Sequence, residues 1–126
     1  MDALRRALGG LALLYALIFF GFALMHAGIP LGPVREPVIV PAAIVETLCV
    51  GAMLAGAYGA LTGRHWAWDG LIYSHAAALG GVLLGILALA FGSGEATALL
   101  TWYHGIMATL LATGLAGAFY VSRVRR

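Results

Sequence analysis

Five ionisable side chains interrupt otherwise apolar sequence: His26, Glu46, Asp69, His75 and His104. Such groups are costly inside a lipid bilayer and usually serve a function there. Depth along a helix separates them, at about 1.5 Å per residue. His26 ends the first apolar run and Asp69 follows Trp66 closely, so both are expected at wet boundaries. Glu46 falls about 8–12 Å inside one boundary and His104 about 12 Å inside the same one. His75 falls about 14 Å in from the other side, near mid-span. A carboxylate facing lipid must stay charged at high cost or be forced neutral. Pairing Glu46 with His104 relieves both groups, and that pairing is the expected centre of the site.

Three kinds of chemistry suit this set. Glu46, His104, His75 and Asp69 descend through the chain as a candidate proton relay or small-species site, because imidazole exchanges protons near neutral pH. His75 and His104 on antiparallel helices are candidate axial ligands of a b-type haem, with His26 as a spare. The His/Glu/Tyr combination also suits a quinone. Cys49, Met53, Met107 and Met25 with the histidines are soft ligands for copper or zinc, but no metal-ligand spacing supports them. A structural role for each polar group, pinning helices through hydroxyls and carbonyls, is the competing reading. No phosphate-binding glycine loop, nucleophile motif or paired-carboxylate motif is present, so an enzyme acting alone is not expected.

These residues lie on four apolar stretches that occupy nearly all of the 126 residues. Spanning a bilayer takes about 20 apolar residues of helix, and helices are expected at about 4–27, 38–62, 66–91 and 95–122. The composition is 63% hydrophobic and 10% charged, far below the roughly 25% charge of soluble domains. The expected fold is an all-α, integral membrane four-helix up-down bundle forming a single domain over 1–126. Arg5, Arg6, Arg64, Arg123, Arg125 and Arg126 fall on one side of such a bundle and Arg35 alone on the other. The positive-inside rule then puts both termini in the cytoplasm of a bacterial-type inner membrane. Arg5 and Arg6 precede an apolar run too long for a cleavable signal, so the first helix is expected to be retained. Trp66, Trp68 and Tyr120 fall near one boundary and Trp102 and Tyr103 near the other, as aromatic belts would.

Punctuation agrees. Pro30, Pro33, Pro37 and Pro41 stiffen the first connection, with Pro41 suited to a first helical turn. Ser93 is the expected cap of the fourth helix. Cys49 is the lone cysteine, which rules out an internal disulfide. Seven arginines at span edges give no nucleic-acid surface. Small residues recur every four positions: Gly51, Ala55, Gly59 and Gly63; Gly81 and Gly85; Ala108, Ala112 and Ala116. That spacing lets helices approach closely, within one bundle or between copies. The expectation is a lipid-embedded protein whose Glu/His core binds a small species or relays protons, within a homo-oligomer or a larger membrane complex. A haem- or quinone-binding redox subunit and a non-catalytic accessory subunit are the alternatives.

Overall fold

The computed structural model describes residues 1–124. It is all-helical, with α1 Asp2–His26, α2 Val40–Thr62, α3 Ala67–Phe91 and α4 Ala98–Val124. All four are long and apolar enough to cross a membrane. The shortest has 23 residues, about 35 Å of helix against about 30 Å of hydrocarbon. Arg125 and Arg126, two of the arginines behind the topology expectation, lie outside the described residues.

The helices run up and down. At the end of the bundle holding the N-terminus, the Arg5 guanidinium donates to the carbonyl of Ala60 and packs beside Gly63. Gly63 closes α2 in the left-handed region, at φ +68°. The cation thus sits where the last carbonyls of α2 gather partial negative charge. At the opposite end the segment 27–39 joins α1 to α2. Its Ile39 N–H donates to the His26 carbonyl at 3.0 Å. Pro41 occupies the first turn of α2 as expected.

The connection from α3 to α4 differs from expectation. Ser93 lies in a bend, and α4 starts at Ala98. Its cap is Thr97, whose Oγ1 accepts the Leu100 N–H at 3.1 Å and donates to Glu36 at 2.8 Å. One hydroxyl therefore caps α4 and ties it to the 27–39 connection.

The interior combines small residues with a few large ones. Ala12, Ala16, Ala57, Ala60, Ala78 and Ala118 are buried, with Phe19, Met53, Leu71, Leu100, Met107 and Leu111 filling between them. The perimeter is apolar as well: Leu17, Leu48, Tyr73, Leu84, Phe91, Trp102 and Tyr120 are all more than half exposed. Of the residues expected in aromatic belts, Trp102 and Tyr120 face outward, whereas Trp68 and Tyr103 are buried in the bundle and cannot serve in one. The small-residue stripes are only partly used. Gly56 lies against Ser74 and the Gly70 backbone, and Gly59 receives the Trp66 ring. Gly51, Ala55, Ala112 and Ala116 remain on the perimeter.

Candidate functional site

Side-chain direction on α1 builds the site. Tyr15, Phe19, Phe22 and His26 follow spacings of four, three and four, which keeps them on one helix face. That face points inward: Tyr15, Phe19 and His26 are buried. Phe22 stacks flat on Tyr103 of α4, with ring centres 3.7 Å apart, and Phe19 meets the same ring edge-on at 6.3 Å. These aromatic contacts join α1 to α4.

Behind them lies Glu46. Its Oε2 accepts from His26 Nδ1 at 2.8 Å, and its Oε1 accepts the Tyr103 hydroxyl at 3.3 Å. The carboxylate is 6% exposed and the His26 ring 1%, so this hydrogen-bonded pair is shielded from the surroundings of the bundle. A buried carboxylate persists when donors replace its lost solvation, and here α1 and α4 each supply one to α2. The expected partner, His104, is not the one that holds it. His26 was expected at a wet boundary; the folded-back connection at Ile39 and the inward aromatic face of α1 enclose it instead.

His104 and His75 share a second arrangement. Each donates its Nδ1–H to the carbonyl four residues earlier, Leu100 at 2.8 Å and Leu71 at 2.7 Å. A carbonyl can only accept, so Nδ1 carries the hydrogen and Nε2 of the neutral ring carries a lone pair. Each ring then projects across the α3–α4 interface onto a glycine. A Cβ at Gly85 would overlap the His104 ring, and one at Gly114 would lie 2.7 Å from His75 Nε2. Gly85 is ten residues from His75, and Gly114 ten from His104. The two imidazoles therefore sit on levels about 15 Å apart along the bundle. A single haem between two axial histidines needs both at one level, and the fold does not bring these two together.

His75 is fully buried, its ring edge 6.2 Å from Tyr15 by centroid, and its Nε2 has no hydrogen-bond partner among the described residues. Asp69 is exposed in the first turn of α3, at the far end from Glu46. It does not join the Glu46 site. Cys49 packs against Gly81 and Met53 is wholly buried in the core. Among the described residues no three His, Cys, Asp or Glu side chains converge as a metal site would require.

Glu46, Tyr103, His104 and Cys49 line a cavity of about 180 Å³. Phe19, Val45, Gly81, Val82 and Gly85 form its apolar walls. The wall also includes Pro41, Leu84 and Ala88, which are exposed, so the cavity reaches the perimeter between α2 and α3. No family model, curated protein or solved structure matches the chain. The geometry of its own residues is therefore what speaks to function. The sequence marked Glu46 and His104 as deep polar groups; it did not mark Tyr103. The inward stripe through Tyr15, Phe19, Phe22 and His26, and the two ten-residue His–Gly spacings, are the signals that lead to the observed arrangement.

Proposed function

We propose that the protein is an integral membrane protein that binds a small lipophilic molecule in the Glu46 cavity. Its apolar perimeter supports lipid as the surrounding solvent, since a face of this extent in water would drive aggregation. The observation that carries the binding reading is a buried carboxylate, held by His26 and Tyr103, at the wall of a cavity that opens sideways. Apolar pockets with a few convergent polar groups are the usual form of small-molecule sites.

A continuous proton relay through all four predicted residues is less well supported. His75 lies on another level from His104, with an unpartnered Nε2, and Asp69 lies at the opposite end. The test is native mass spectrometry of the protein extracted in mild detergent. A co-purifying small molecule is expected in the wild type and lost in both Glu46→Leu and Ala88→Trp, the second of which obstructs the mouth. A bound mass unchanged in both variants would refute the assignment of this cavity. In proteoliposomes containing a pH-sensitive dye, wild type and Glu46→Gln should show equal proton leak. Flux that depends on Glu46 would favour the relay instead.

A further inference from the structure

The hydrogen-bonding capacity of the cavity narrows what can occupy it. Glu46 presents carboxylate oxygens, which accept only. His104 Nδ1 is already committed as donor to the Leu100 carbonyl, so its Nε2 presents a lone pair. The Tyr103 hydroxyl is committed to Glu46. The polar wall is therefore short of donors and rich in acceptors, and a ligand that satisfies it must bring the hydrogens.

Charge and size add two constraints. His26 Nδ1 is hydrogen-bonded to Glu46 at 2.8 Å, so one carboxylate oxygen already has a partner inside the bundle. One face of the Tyr103 ring is covered by Phe22. A lipophilic cation would thus meet a carboxylate whose two oxygens already accept from His26 and Tyr103, and an anion would be repelled by Glu46. The volume of about 180 Å³ compares with about 150 Å³ for an apolar cavity that takes up benzene. One aromatic ring with its hydroxyls fits, and a tail must leave through the mouth at Pro41, Leu84 and Ala88. That mouth lies within about 10 Å of the helix ends, where the polar head of an amphiphile meets the first part of its chain.

We infer that the cavity receives, sideways from the bilayer, an uncharged lipophile with a phenolic head, an alkylphenol or alkylhydroquinone, whose hydroxyls donate to Glu46 and His104 Nε2. This rests on the binding reading above and specifies its ligand by chemical class. The oxidised quinone, with acceptors only, is disfavoured against its hydroquinone.

The experiment is equilibrium binding to the full chain in nanodiscs, with empty nanodiscs correcting for partition. Four probes share one tail: 4-pentylphenol, pentylhydroquinone, pentylbenzoquinone and pentylbenzene. Saturable binding of about one pentylhydroquinone per chain is expected, at least tenfold tighter than pentylbenzoquinone or pentylbenzene, which is about the effect of one hydrogen bond to a charged acceptor. A phenol as tight as the hydroquinone would assign one working acceptor; a weaker phenol would assign two. Ala88→Trp alters an exposed position, so it should keep its helicity and lose the saturable binding. Equal affinity for quinone and hydroquinone would overturn the donor inference while leaving the cavity as a binding site. Preference for tetraphenylphosphonium over all four would overturn it in favour of charge recognition. Absence of saturable binding by any probe would remove both this inference and the reading beneath it.

Discussion

Gly114→Ala tests the α3–α4 interface most sharply. The added methyl would fall 2.7 Å from both Cδ2 and Nε2 of His75. Ordinary carbon contacts begin near 3.5 Å, so about 0.8 Å must be found. The ring cannot swing away without loosening its 2.7 Å bond to the Leu71 carbonyl, and Tyr15 stands at its edge. Overpacking of this kind costs about 1–3 kcal/mol. Replacing a helical glycine by alanine returns about 1 kcal/mol of helix propensity. Gly117→Ala is the matched control, because nothing lies within 4 Å of its added methyl. The difference between the two variants is then expected at about 1–3 kcal/mol, with Gly117→Ala neutral or slightly stabilising. Unfolding in mixed micelles with increasing dodecyl sulfate, followed by helicity, gives the comparison. The double variant His75→Ala, Gly114→Ala should fall well short of the sum of its single variants, since the methyl then enters the space the ring vacates. Equal stability of Gly114→Ala and Gly117→Ala, or strict additivity in the cycle, would refute the placement of the imidazole against Gly114.

Three further outcomes can be checked in the same micelles. Glu46→Leu strips the acceptor from both His26 Nδ1 and the Tyr103 hydroxyl, and should be about 1–3 kcal/mol less stable than Glu46→Gln, which keeps a hydrogen-bonding amide there. Thr97→Val removes the cap of α4 and should cost about 1 kcal/mol, with Thr97→Ser close to wild type; slowed hydrogen exchange at Leu100 in the valine variant would contradict the cap. Arg5→Gln withdraws a cation from the carbonyl end of α2 and should cost about 0.3–1 kcal/mol, an effect that fades with added salt.

The fold was largely legible because the length and apolarity of each run report directly on four long helices. Helix ends were placed within three residues, and the largest miss, the start of α4, has a specific cause. Thr97 works with Glu36, which is 61 residues away, and no local pattern reveals that partner. Rotation of each helix about its axis was harder to read. In water an apolar stripe marks the buried face, but here Leu17 and Leu48 on the perimeter are as apolar as Leu71 and Leu111 inside. Depth was therefore readable and facing was not. Glu46 was found by depth, yet it was matched to His104 instead of His26. Position along the chain puts Tyr103 in a boundary belt beside Trp102, yet only Trp102 faces outward.

The two imidazole–glycine contacts have a mechanical consequence. They act as two dowels set a fixed distance apart and pointing in opposite directions, one from each helix. Sliding α4 along α3 by a single residue would unseat both at once and drive each ring into backbone or a methyl group. That pair of helices can dock in one register and cannot shift like a piston.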